Sequence, residues 1–511
     1  MNKSIVTFLL LFTLLCCSRE QQENVTSQSK PNIILFFVDD MGWQDTSVPF
    51  WHKRTRSNDR YATPNMERLA AEGMKFTQAY ATPVCSPTRV SLMTGMNAAR
   101  HRVTNWTLRK DALQPMETNH KELTFPRWNV NGLCPVPGLD YSVHADALPK
   151  LLKAAGYFTI HAGKAHFGAI DTPAEDPRAI GFDVNIAGHA AGGPKSYLGT
   201  ENFGNTEEFK DSPWPVPGLE KYHGKDIFLT EALTLEAKAA MDSALKSDAP
   251  FFLYMSHYAV HVPIMGDNRY LQKYLDAGLD TIEAKYATLI EGMDKSLGDI
   301  MDYLQERQLA DNTVILFMSD NGGLSAHGRG GRPHTHNKPL ASGKGSIYEG
   351  GIREPMIVKW PGVAAPGSSN HNYLIIEDFF PTILEMAGVG EYKTVQAIDG
   401  QSFVPLLKDT TPGQTTERPL FWHYPNHWGP NGPGIGAFSA VRLGDWKLIY
   451  YHLDESYELF NIADDIGEQQ DLAQANPAKK AELSKILGSF LKKVGAQLPW
   501  HKPTGKKVAY P

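Results

Sequence analysis

The residues able to do chemistry fall at a few bounded places in the chain. Cys85 opens Cys85-Ser86-Pro87-Thr88-Arg89, ahead of a run in which Val90, Leu92, Met93 and Met96 can share one face of a helix. A cysteine at a helix start meets free backbone N–H groups, which favour an anion, and Arg89 lies one turn along the same side. An inert, buried cysteine before an ordinary helix is the competing reading of that stretch. Asp39-Asp40 and Asp320-Asn321 each follow a hydrophobic run, Ile33–Val38 and Thr313–Met318. Hard oxygen donors repeated at strand ends describe a cation site, against a surface turn of the Asp-Asp-x-Gly kind for the first pair. Lys164 and His166, two apart and flanked by glycines, can point the same way from an extended loop. His257 and His261 follow a third apolar run, Phe251–Met255. Gly328 to Ser346 is glycine-rich and basic, with Arg329, Arg332, His334, His336, Lys338 and Lys344. It is not a phosphate-binding loop, because the spacing around Lys344-Gly345 is wrong.

The elements that must position these groups follow from the pattern. Continuous rather than alternating apolar runs predict parallel strands covered on both faces, at 33–38, 251–255 and 313–318, with a shorter one at 157–160. Helices are predicted from Pro64 to Glu72 behind a Thr63 cap, then at 145–155, 226–245, 282–309 and 378–387. The fold class is therefore α/β: a large, mostly parallel sheet flanked by helices, with its ligands at the carboxyl edge. Irregular, aromatic and proline-bearing stretches at 105–141 and 171–225 are expected to supply loops, the second as part of a substrate cleft. A boundary falls near 407–419, giving a large unit at 31–410 and a smaller α+β unit at 411–511. In the latter, 438–442 and 446–450 form a hairpin around Gly444-Asp445, 457–460 adds a strand, and 477–494 is helical.

Composition narrows the partners. The 511 residues carry 50 Lys and Arg against 56 Asp and Glu, for a net charge of −6, with no long basic block, so a nucleic-acid partner is not expected. Residues 1–17 combine Lys3 with an apolar run from Ile5 to Leu15, as in a secretory signal. The end of that run is similar to a bacterial lipoprotein signal, with Cys17 the better lipidation position and 18–30 a polar linker. Export to the periplasm or the outer membrane of a Gram-negative cell is expected, with or without a lipid anchor. Cys85 and Cys134 are the cysteines left beyond the signal, and a disulfide between them is formally open.

Cys85-Ser86-Pro87-Thr88-Arg89, with Ser91-Leu92-Met93-Thr94-Gly95 behind it, resembles the motif of type I sulfatases, the formylglycine-dependent members of the alkaline-phosphatase-like superfamily. The resemblance extends to Pro31–Asp40, Gly163–His166, His261-Val262-Pro263, Ser319–Gly322 and Gly343-Lys344-Gly345 with Arg353-Glu354-Pro355, in the family's order. It implies that a formylglycine-generating or anaerobic sulfatase-maturating enzyme oxidises Cys85 to formylglycine. The hydrated aldehyde then attacks sulfur, forms a covalent sulfo-enzyme and expels sulfate. It implies a calcium ion, with magnesium second, held by Asp39, Asp40, Asp320, Asn321 and the residue-85 oxygen. Arg89, Lys164 and Lys344 are expected to spread charge on the sulfuryl group, His166 to assist collapse, and His261 to be the general acid, with His257 as runner-up.

Ala165 and Phe167 depart from the commoner Trp and Leu, which predicts wider walls. His327, Arg329, Arg332, His334 and His336 are expected to bind a polyanionic substrate, unless they form a solvated basic loop, and Trp106, His189, His423 and Trp428 are weaker subsite candidates. The expected substrate is a sulfated carbohydrate, an algal polysaccharide of ulvan or carrageenan type or its oligosaccharides. A glycosaminoglycan is the alternative sugar; a phosphonate or phosphodiester hydrolase and a non-catalytic glycan-binding lipoprotein are the alternative activities.

Overall fold

The computed structural model describes residues 30–326, 328–408 and 417–511. The expected signal, Cys17, the linker up to residue 29, His327 and the boundary between the two units lie outside the described residues. Among those described, no helix is long and apolar enough to cross a membrane.

The first strand shows why the large sheet forms. β1 (Asn32–Val38) is buried at every position. Ile33, Leu35 and Phe37 enter the core on one face of the sheet, and Ile34, Phe36 and Val38 the core on the other. Each such side chain contributes about 1.5–3 kcal/mol on leaving water, which is why the run does not alternate with polar residues. The next elements are α1 (Pro64–Glu72), β2 (Met74–Tyr80) and α2 (Cys85–Thr94). After a long excursion come α3 (Leu148–Ala154), β3 (Phe158–Gly163) and β4 (Val184–Ile186), then α4 (Leu229–Lys246) and β5 (Phe251–Ser256). The unit is completed by α5 (Thr281–Glu306), β6 (Thr313–Ser319), β7 (Arg353–Lys359), β8 (Ser368–Asn370), β9 (Leu374–Ile375) and α6 (Phe379–Met386).

Among the described residues these strands make one nine-stranded sheet in the order β8-β2-β7-β6-β1-β5-β3-β4, with β9 also on β2. All neighbours are parallel except that β7 runs antiparallel to both β2 and β6. Helices α2, α3 and α6 pack on one face, and α1, α4 and α5 on the other. The register Val38↔Ser319 and Phe37↔Ser256 brings the carboxyl ends of β1, β6 and β5 level, and Gly163↔Ser256 adds β3 to the same edge. The residues singled out at strand ends are therefore neighbours in space.

The smaller sheet has four antiparallel strands, one more than the sequence pattern suggested: β10 (Leu420–Tyr424), β11 (Phe438–Leu443), β12 (Trp446–Tyr451) and β13 (Tyr457–Asn461). The extra strand, LFWHY, is aromatic and short, and only its pairing with β11 distinguishes it from loop. α7 (Pro477–Lys493) covers this sheet through Leu483, Leu487 and Leu491. Cys85 and Cys134 are both buried free cysteines, so the disulfide that was formally open is not formed.

Candidate active site

Cys85 is the first residue of α2, and Val84 before it is extended. The helix has no exposed face: all ten of its residues, polar ones included, are buried, so burial all round replaces the single apolar stripe expected for it. Arg89, one turn on, does not line the cavity over Cys85. Its Nε and Nη2 both donate to Asp320 Oδ2, at 3.0 and 2.8 Å. Its Nη1 reaches Ser256 Oγ at 2.6 Å, Lys164 O at 3.1 Å and Tyr254 OH at 3.2 Å. Arg89 is thus engaged with Asp320 and is set back from the cavity, behind Cys85.

The carboxylates are crowded and fully buried. Lys164 Nζ donates to Asp39 Oδ2 at 2.7 Å, and Lys344 Nζ lies 2.7 Å from Asp40 Oδ1. Asp40 N donates to Asp320 Oδ1 at 3.2 Å, and Asn321 Nδ2 to Asp40 Oδ1 at 2.8 Å. Burial and the neighbouring Asp320 hold the Asp39 carboxyl well above the usual carboxylate range. Burial also works against ionised Asp40, but Lys344 and then His261 outweigh it and its pKa is lowered. Asp39 Oδ1 and Asn321 Oδ1 are buried and find no hydrogen-bond partner among the described residues.

One donor atom each from Asp39, Cys85 and Asp320 lie within 4.8 Å of one another, as do those of Asp40, Cys85 and His261. Orphaned oxygens facing a like-charge cluster fit a hard divalent cation, with residue 85 at its edge. The three carboxylates Asp39, Asp40 and Asp320 face three cations, Lys164, Lys344 and Arg89.

Two histidines approach over Gly192-Gly193. A Cβ on Gly192 would sit 2.4 Å from His166 Cε1, and one on Gly193 2.7 Å from His261 Nδ1. These glycines passed unnoticed in the sequence, where AAGGP reads as loop. His166 Nε2 is 2.8 Å from Thr107 O, and since a carbonyl can only accept, Nε2 carries the proton. Its Nδ1 is buried without a partner among the described residues, and burial followed by Lys164 holds the ring pKa well below the usual histidine value. His166 is therefore a neutral imidazole with a free lone pair. His261 Nδ1 is 2.8 Å from Val262 O, and Nε2 is 3.7 Å from Asp40 Oδ2.

Cys85, His166, His261 and Lys344 form the reactive floor of a cavity of about 320 Å³, walled by Trp106, Met116, Trp214 and Trp428. Burial pushes the Cys85 thiol up to about 11, although Lys164 and Lys344 act the other way. An unmodified thiol here stays protonated and is a poor nucleophile.

Several expected contacts are not made. His257 is fully buried, 2.9 Å from Ser296 Oγ and packed on Phe36, because it leaves β5 on the opposite face from Ser256. His423 is buried between Ser439 Oγ and Gln497 O. His189 binds Tyr258 OH through Nδ1 and does not line the cavity. Arg329 is buried in ion pairs with Asp45 and Glu283, while Arg332 and His336 border a separate surface cleft beside Arg54 and Arg56. His334 packs against Gly432. Ala165 and Phe167 face the core, so they widen no wall. Conversely, Glu354 was passed over: both its carboxylate oxygens are buried with no partner among the described residues, and burial with nearby Asp320 and Asp40 raises its pKa.

A family model described as Sulfatase matches residues 31–389, and one described as N-sulphoglucosamine sulphohydrolase, C-terminal, matches residues 343–497. A sulfatase of Formosa agariphila is 30% identical, spanning 99% of this chain and 96% of its own length. N-acetylgalactosamine-6-sulfatase of Mus musculus is 31% identical over 89% of this chain and 79% of its own. The solved structure of Ps i-CgsB in complex with k-i-k-neocarrahexaose is 27% identical, with a TM-score of 0.70, covering 90% of this chain and 93% of that one. The chain belongs to the sulfatase family, and is a sulfuric ester hydrolase on an alkaline-phosphatase-like fold.

Proposed function

We propose that this protein is an exported carbohydrate sulfatase that works through formylglycine made from Cys85 by a maturation enzyme, with calcium as its cation. The observation that carries the reading is the buried Cys85 on a cavity floor among orphaned oxygen donors. Formylglycine, when formed, supplies a hydrated aldehyde whose two hydroxyls serve as nucleophile and release group, and calcium supplies positive charge for the sulfuryl oxygens. Asp39, Asp40, Asp320 and Asn321 are the residues that would hold the ion. Lys344, on the cavity floor, binds and orients the sulfate; Lys164 and Arg89 fix Asp39 and Asp320 from below. His166 accepts a proton at Nδ1 when sulfate is expelled. His261 is the general acid of this reading. Its Nδ1–H is held by Val262 O, so it must first gain a proton at Nε2, beside Asp40, before passing it to the leaving oxygen. Burial followed by Lys344 opposes that charge, lowering its pKa to about 3.

A carrageenan-type algal galactan is the first substrate class to test, supported by the likeness to a sulfatase solved with a neocarrahexaose. A glycosaminoglycan is the second reading, supported by the N-acetylgalactosamine-6-sulfatase relatives. The test is sulfate release from 4-methylumbelliferyl sulfate and from sulfated oligosaccharides of both classes, alongside mass spectrometry of the peptide bearing residue 85. Matured protein is expected to carry the aldehyde and to release sulfate. Activity should vanish in Cys85→Ala, fall on treatment with a calcium chelator, and return with calcium more fully than with magnesium. Turnover by a preparation whose residue 85 is entirely thiol would defeat the reading.

A further inference from the structure

The groups that can hold a sulfate occupy only the floor of the cavity above Cys85. The walls are of another kind: Trp106, Met116, Trp214 and Trp428, with Val262 and Pro430. Among the described residues that line it, Lys344 is the one Lys or Arg, and Asp40 already neutralises it. The arginines of the basic loop are turned away, Arg329 into buried ion pairs and Arg332 to a separate cleft. A second sulfate or a carboxylate on the same sugar would meet indole and thioether, and burying a charge against such groups without a partner is costly. The volume of about 320 Å³ lies at the small end of the range of about 300–1,000 Å³ typical of small-molecule sites. That is room for about one sugar ring within the cavity itself.

The walls are fastened together. Glu117 is buried, and its carboxylate accepts from Asn426 Nδ2 at 2.6 Å, Gln114 N at 3.1 Å and Trp128 Nε1 at 3.2 Å. Gln114 Nε2 donates to Trp106 O at 3.1 Å, and Tyr424 OH to Asn105 Oδ1 at 2.9 Å. One carboxylate thus ties the segment bearing Trp106 and Met116 to the segment bearing Trp428. Trp428 lies on the backbone beside Lys344, where a Cβ on Gly345 would come within 2.0 Å of its ring. The segments that carry Trp106 and Trp428 are held together before any ligand arrives, which lowers the ordering cost of binding.

We propose that the cavity is a single-sugar subsite for the terminal residue of a sulfated chain, and that the sulfate being removed is that residue's only anionic group. Trp106, Trp214 and Trp428 take the apolar C–H faces of the ring, and the enzyme acts from a chain end. This rests on the carbohydrate-sulfatase reading and adds the mode of attack and the charge of the sugar.

The test uses matured full-length protein and defined oligosaccharides, from mono- to hexasaccharide, sulfated on every repeat. A parallel set carries a second sulfate or a carboxylate on each terminal residue. Sulfate is counted by ion chromatography and located by mass spectrometry. One sulfate per chain is expected, from one end and independent of length, with kcat/KM lowered roughly tenfold or more by a second anion on that residue. Trp214→Ala is expected to raise KM for the sulfated monosaccharide roughly tenfold with kcat nearly kept, and Trp214→Phe to restore most of the loss. Release from internal residues at comparable kcat/KM, or a preference for the doubly anionic terminus, overturns the inference and leaves the sulfatase reading standing. Hydrolysis of aryl sulfate with no release from any sugar overturns both. The length series needs no variant, so a misfolded substitution does not protect the inference.

Discussion

At His261 the ring is held so that one nitrogen faces the site. The Val262 carbonyl fixes Nδ1–H, and Nε2 points to the cavity side near Asp40. A sugar alkoxide is a poor leaving group and needs a proton, whereas a phenolate with electron-withdrawing substituents does not. His261→Ala is therefore expected to slow hydrolysis of a sugar sulfate by about 10²–10⁴-fold, and that of an activated aryl sulfate far less. Equal losses across a series of leaving groups would rule out proton delivery. The residue types of this site were legible from the sequence, because the carboxylates, Asn321 and the histidine pair follow apolar runs while Cys85 opens a helix and Lys344 stands between glycines. The choice between His257 and His261 was less so. It is decided by strand parity, Ser256 turning toward Arg89 and His257 toward Ser296. The role of Arg89 was also hidden, since its partners Asp320, Tyr254 and Ser256 are set by sheet register.

At the scale of elements, α2 is the piece that must not move. It ends at Gly95, left-handed at φ 68, whose N–H returns to Ser91 O. Just beyond, Asn97 Nδ2 bonds Glu377 Oε1 at 2.9 Å and Phe421 O at 2.9 Å. Burial and the adjacent Asp378 push the Glu377 carboxyl from 4.5 up to about 8. The folded protein therefore keeps a proton that the unfolded chain releases, so this contribution is complete below pH 4.5 and is lost as pH rises through 8. The loss is at most about 1.4 kcal/mol per pH unit within that window. Glu377→Gln keeps the neutral shape and is expected to flatten the fall of the unfolding midpoint across it. An unchanged slope in the variant would show that another group sets the dependence. The start of α2 was readable from Cys85-Ser86-Pro87. Its burial on every side was not, because the polar Ser86, Thr88, Ser91 and Thr94 on its surface mimic an exposed face.

At the scale of the molecule, the two sheets are joined by a buried charge cluster. Lys447 on β12 lies 2.7 Å from Glu468 and 3.1 Å from Glu349, and Tyr80 OH at the end of β2 donates to Glu349 at 2.6 Å. Removing the lysine charge leaves buried Glu468 without its cation beside Glu349, which keeps Arg353 at 3.2 Å. Lys447→Met is expected to cost about 3–5 kcal/mol in urea unfolding, against a change below 1 kcal/mol if the cluster were solvated. This fastening could not be read from the sequence, because its members are widely separated along the chain. The smaller unit is also more than a cover, since Trp428 comes from the turn after β10 and stands over Lys344. Reaction and preference are thus written in different parts of the text: rigid strand ends carry the first, and three surface excursions carry the second. Replacing one of those excursions is thus expected to alter what the cavity accepts without disturbing the strand ends beneath it.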